Sequence, residues 1–162
     1  YAVRGRAKAL LGDFTAAMAD CDQAVEMDGR DPYTYLNRAE VWRAQGKPDA
    51  ALADIRRATA AKEDTLAAWK MAGDIEDELG DKAAAMEDYR RYVKLAPEAT
   101  DIGDEYLRAL SPKVWEKVEK ERAKAQEETI KAVQEKKAAR EKAKGTAAPA
   151  EEAKDTKDHN AA

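Results

Sequence analysis

Three aromatic residues, Tyr1, Tyr35 and Trp69, stand 34 residues apart, and three further sets keep that step: Gly12, Gly46 and Gly80; Ala17, Ala51 and Ala85; Met18, Leu52 and Met86. A chain with such a period is an array of equivalent units, not one irregular core. Each unit presents the same packing problem and solves it against its neighbour.

Each unit reads as a helical hairpin. Before the glycine, Tyr35, Arg38, Ala39 and Trp42 recur at spacings of three and four, which is one stripe of a helix; after it, Ala51, Leu52, Ile55 and Ala58 form the next stripe. Gly12–Asp13 and Gly80–Asp81 place a helix-ending glycine directly before an N-cap carboxylate, so one helix stops and another starts within two or three residues. In the second unit Pro48 follows Gly46 and Lys47; proline suits a first turn, but the cap is weaker than Asp13 or Asp81 gives. Gly5, Ala39 and Gly73 on the first helices face Ala17, Ala51 and Ala85 on the second, so the two backbones can approach closely. Cys21 shares the inward stripe with Ile55 and Tyr89 at the matching positions, which predicts a buried thiol. As the only cysteine, it excludes an internal disulfide.

With these positions in phase, the chain resembles the tetratricopeptide repeat family. That family's order of aromatic, small residue, aromatic, turn glycine, alanine, aromatic, alanine and proline is matched in the third unit by Trp69, Gly73, Glu76, Gly80, Ala85, Tyr89, Tyr92 and Pro97. Glu76 replaces the internal aromatic supplied one unit earlier by Trp42, and Tyr92 replaces the alanine seen as Ala24 and Ala58. The resemblance covers residues 1–99 and implies an all-α solenoid of three hairpins, 1–31, 32–65 and 66–99.

The period fails at both ends. Tyr1 already holds the fourth position of its unit and Leu10 and Leu11 have no helix before them, so a frayed first helix or upstream repeats are expected. After Thr100, residues 101–110 put Ile102, Tyr106, Leu107 and Leu110 on one side, as a capping helix would. Ser111 and Pro112 then open a long charged helix to about Lys144, with 12 basic and 10 acidic residues over 101–144. Val114, Trp115 and Val118 can cover the array, but beyond them only Ile130 and Val133 are large and apolar. A self-sufficient coiled coil is not expected; a solvated helix projecting from the array is, with weak self-association through Ile130 and Val133 as a further expectation. The tail 145–162, rich in Ala, Glu, Lys and Asp and lacking bulky apolar residues, is expected to be disordered.

Several function classes find no support. The net charge of −4 and the absence of any strongly basic segment argue against nucleic acid, whose binding rests on neutralising phosphates. No apolar run spans a membrane, and the compartment stays open, with the cytoplasm favoured. His159 is the only histidine and lies in the tail, so no histidine-based triad assembles; one cysteine and one remote histidine make no zinc site. No phosphate-cradling glycine loop occurs, and no cofactor is implied. Asp74, Asp77 and Glu78 read as a solvated face.

The resemblance turns the question to binding. In the family, the residues of the concave groove fall here on Arg6, Ala9 and Leu10; on Tyr33, Leu36, Asn37, Glu40 and Arg43; and on Lys70, Met71, Asp74, Asp77 and Glu78. Their spacings place them on one face of each first helix, away from the aromatic stripe. The resulting groove has cations toward the first two units and carboxylates toward the third, which favours a cationic stretch of ligand there. The clamp that grips acidic chaperone tails in this family would fall on Ala2, Arg6, Asn37, Ala67 and Met71, of which only Asn37 keeps the clamp residue, so that use is disfavoured. The expectation is a non-enzymatic adaptor that binds a peptide or helix; the alternative is a regulatory or targeting module of a larger enzyme whose catalytic domain precedes residue 1.

Overall fold

The computed structural model describes residues 1–145, and among them the chain is all-α, with α1 (Ala2–Leu10), α2 (Phe14–Met27), α3 (Pro32–Ala44), α4 (Pro48–Ala61), α5 (Leu66–Glu78), α6 (Lys82–Leu95), α7 (Asp104–Leu110) and α8 (Pro112–Gly145). The first six form three hairpins, α1/α2, α3/α4 and α5/α6, and each packs on the next: α1 and α2 against α3, α4 against α5, α6 against α7. This is a helical-repeat solenoid. The expected disorder of the tail and the placement of His159 concern residues outside those described.

The glycines do two different jobs. Gly12, Gly46 and Gly80 end the first helices at φ of 84°, 70° and 82° with open space where a Cβ would lie, so backbone conformation alone requires them. Gly5 and Gly73 are needed for space: a Cβ on Gly5 would lie 2.6 Å from Cys21 Sγ and 2.7 Å from the Ala17 carbonyl, and one on Gly73 would lie 2.7 Å from the Tyr89 ring. Asp13 and Asp81 cap α2 and α6 by accepting from the backbone N–H of Ala16 and Ala84, both at 3.1 Å. Lys47 makes no such bond at α4, where Pro48 supplies the first turn instead.

Three apolar clusters follow the repeats. Ala17, Cys21 and Val41 with Ala9 close the first hairpin onto the second. Leu36, Ala39, Ala51, Ile55, Ala58, Ala68, Ala72 and Ile75 join the second to the third. The last holds Ala85, Tyr89, Tyr92, Ile102, Tyr106 and Leu107, with Val114, Trp115 and Val118 packed against it. One expectation changes here. The capping helix begins at Asp104 instead of residue 101, because Ile102 is buried from the loop and Gly103 takes the N-cap position. Helix α1 runs from Ala2 with Gly5 pressed against α2, and Leu10 and Leu11 are 81% and 86% exposed.

The chain divides after Val118 into two compact units. The second, described from Glu119, is the remainder of α8, and its described side chains are exposed, Ile130 and Val133 included.

Candidate functional site

The groove residues expected from the sequence come together through ion pairs that link successive first helices. Arg6 of α1 pairs with Glu40 of α3, and Arg43 of α3 pairs with Glu78 of α5. Charge that the sequence distributes between the ends of the groove is thus largely neutralised from repeat to repeat. Tyr33 is 56% exposed, and its carbonyl accepts from Asn37 Nδ2 at 2.6 Å. Leu36 is buried at 4% exposure and belongs to the core, while Met71 is partly buried against the same cluster.

The acidic run in α5 differs from the solvated face expected of it. Asp74 accepts from the Tyr89 hydroxyl at 2.7 Å and from Lys70 Nζ at 2.8 Å; Asp77 accepts from the Tyr106 hydroxyl at 2.5 Å and from Lys82 Nζ at 2.6 Å. These carboxylates seat two of the three phenols of the last cluster, Tyr89 and Tyr106, whose rings lie 4.6 Å apart. The Lys82 ammonium, followed by the Tyr106 hydroxyl, holds the Asp77 carboxyl below its ordinary range. Glu78 alone of the three is well exposed.

A second polar column, absent from the sequence reading, runs through the hairpin interiors on the same 34-residue step. In the first repeat Arg4 forks onto Asp20 (Nε–Oδ2 2.7 Å, Nη2–Oδ1 2.6 Å) with Lys8 also on that carboxylate. In the second, Arg38 forks onto Asp54 (Nε–Oδ2 2.7 Å, Nη2–Oδ1 2.8 Å), which also accepts from Trp42 Nε1 and Arg57. Each guanidinium lies over its repeat's leading aromatic, Arg4 at 4.9 Å from the Tyr1 ring centre and Arg38 at 6.0 Å from Tyr35. Hydrogen bonds from Arg4 and then Lys8 hold the Asp20 carboxyl well below its usual range.

The third repeat breaks this column. Asp88 and Trp69 keep their places, but Ala72 stands where Arg4 and Arg38 stand, and Glu76 where Lys8 and Trp42 stand. Glu76 and Asp88 therefore line one space without an arginine between them, and Glu76 Oε2 is buried with no hydrogen-bond partner. Burial, then the Asp88 charge, pushes the Glu76 carboxyl up to about 7; burial likewise raises Asp88. A cavity of about 220 Å³ opens beside them, lined by Leu52, Ile55, Arg56, Thr59, Trp69 and Ala72.

That pair predicts the sign of a pH effect. Glu76 keeps its proton to about pH 7 when folded and loses it at its ordinary 4.5 when unfolded, so between these values the folded state binds more protons and stability falls as pH rises. A loss of about 1–2 kcal/mol, allowing for solvent screening of a partly exposed group, is expected between acidic and mildly alkaline urea melts. Glu76→Gln should flatten that slope; an unchanged slope would exclude Glu76 as its source.

The signal for this column was present in the sequence as Asp20, Asp54 and Asp88 on the repeat step. Cys21 is fully buried as expected, and desolvation pushes its thiol up to about 11, which suits packing and not nucleophilic chemistry. Among the described residues no group of three or more potential ligands could hold a metal, and no helix is long and apolar enough to cross a membrane.

Comparison with known proteins agrees with this geometry. Family models described as tetratricopeptide repeat match residues 36–100 and residues 1–31. Over 84 residues, 52% of this chain, the sequence is 31% identical to the human protein DnaJ homolog subfamily C member 3. The chain spans 17% of that relative's length.

Proposed function

The chain belongs to the tetratricopeptide repeat family, a family of protein-interaction modules that is typically non-catalytic, and from that premise we propose that it is an adaptor binding an extended peptide or a helix along the exposed face of α1, α3 and α5. The observation that carries this reading is the inter-repeat pairing Arg6–Glu40 and Arg43–Glu78, which brings side chains of α1, α3 and α5 beside one another on one polar face. A preorganised face loses less entropy when a ligand docks. Tyr33 offers an exposed aromatic anchor beside Asn37, a pairing of rigid aromatic and amide suited to a backbone ligand.

Internal pairing also revises the ligand's expected chemistry. With Asp74 and Asp77 committed to tyrosines and lysines, recognition at the third repeat rests less on a cationic stretch and more on polar and apolar contacts. The chaperone-tail reading gains nothing, since Ala2, Ala67 and Met71 supply no cation at the clamp positions.

The test is a peptide selected from a random library on the full chain. Its affinity should fall at least about tenfold in the Asn37→Ala, Arg43→Ala double variant, with far-UV helicity unchanged, because two hydrogen-bonding groups of the face are lost. Equal affinity in the variant would reject this face as the binding site.

A further inference from the structure

We propose that the third repeat carries an arginine socket, a site between α4, α5 and α6 that takes the guanidinium of an arginine side chain from a partner protein, formed by Asp88, Glu76 and Trp69 around the space that Ala72 leaves open. It lies apart from the face of α1, α3 and α5 and does not depend on that face binding anything.

Comparison among the repeats of this chain supplies the ligand's identity. Twice the chain builds the same arrangement: a leading aromatic, an arginine three residues on, and an aspartate sixteen residues beyond that accepts both ends of the guanidinium fork, as Tyr1–Arg4–Asp20 and Tyr35–Arg38–Asp54. The third repeat builds the aromatic and the aspartate, Trp69 and Asp88, without the arginine. At that place lies the 220 Å³ cavity, which Trp69, Ala72, Glu76 and Asp88 all line. Glu76 Oε2 has lost contact with water without gaining a donor, a cost that a bound cation would remove. A guanidinium meets every feature at once: its plane stacks on an indole, and its fork donates to two carboxyls.

The groups already there do not fill the place. Arg91 lies 4.8 Å from the Trp69 ring centre but lines, with Trp69, the neighbouring cavity of Glu63, Glu87 and Lys94. Arg56 is exposed on the α4 side. Asp81 and Glu87 add negative charge from the α6 side, while Arg56 and Arg91 partly offset it. When a guanidinium docks on both carboxylates, the proton that burial keeps on Glu76 is released to solvent. Affinity therefore rises with pH through about 7, where Glu76 ionises.

The test uses the full chain and three small probes: acetyl-arginine amide, its neutral isostere acetyl-citrulline amide, and acetyl-lysine amide. Arginine amide should shift the Trp69 indole and Ala72 resonances saturably, with a dissociation constant in the millimolar range expected of one side chain. Citrulline amide should be silent, and lysine amide weaker because an ammonium cannot bridge two carboxyls as a fork. Asp88→Asn should weaken arginine at least about tenfold, and Ala72→Arg, which refills the place from within, should abolish the response while far-UV helicity and cooperative urea unfolding are retained. No saturable shift with arginine amide, an unaltered response in folded Asp88→Asn, or lysine binding as tightly as arginine would each overturn the socket.

Discussion

Asp54→Ala is expected to destabilise the array by about 3–5 kcal/mol, because it strips the partner from a buried guanidinium. The Asp54 side chain is 1% exposed and accepts from Arg38, Arg57 and Trp42; Arg38 is itself only 14% exposed. Removing the carboxylate leaves the Arg38 charge and the Trp42 indole N–H desolvated, with only the more exposed Asp22 to take the guanidinium. Denaturant unfolding should show the loss directly. Arg57→Ala, which removes the exposed member of the same cluster, should cost less than about 1 kcal/mol. Equal losses from the two variants would mean that burial of Arg38 is not what makes Asp54 important.

Tyr106→Ala should be of comparable size, about 3–5 kcal/mol, for a different reason. Tyr106 is 1% exposed, lies against Tyr89, and donates its hydroxyl to Asp77; Lys82 also sits 5.5 Å above its ring. Truncation empties the centre of the last cluster and uncovers Tyr89, so the third hairpin loses its cover. Tyr106→Phe keeps the ring and removes only the hydrogen bond, which predicts a loss nearer 1 kcal/mol. If alanine and phenylalanine cost the same in urea unfolding, the hydroxyl and not the ring volume would be what closes the array.

Much of the fold was legible in the sequence because its marks are local. The left-handed turns need glycine whatever surrounds them, so Gly12, Gly46 and Gly80 announce themselves, and Asp13 and Asp81 cap the helices that follow within three residues. Gly5 and Gly73 could be read as contact positions, though the object each one admits, a sulfur in one repeat and a phenol ring in the other, belongs to the opposing helix. The start of α7 was misread because Ile102 fits the apolar stripe of a helix while being buried from a loop.

The polar architecture was much less legible. Arg38 sits within an apolar stripe at helical spacing, and only the rotation of α4 against α3 shows that its guanidinium ends on Asp54. Asp74 and Asp77 look solvated in sequence because the tyrosines that use them lie 15 and 29 residues away. For the same reason the groove charges looked available until Arg6 met Glu40 and Arg43 met Glu78 across repeats.

By itself, then, the sequence determined that this protein is an array of three helical hairpins, since period, turn glycines and close-packing alanines are properties of residues near one another in the chain. Which charges are spent inside the array and which place is left unfilled was decided only by tertiary structure. An ion pair depends on where two side chains end, and side chains on different helices are brought to one point by packing, not by spacing. The Glu76–Asp88 pair beside Ala72 belongs to that second class: three ordinary residues in sequence, and one carboxyl pair without its arginine in the fold.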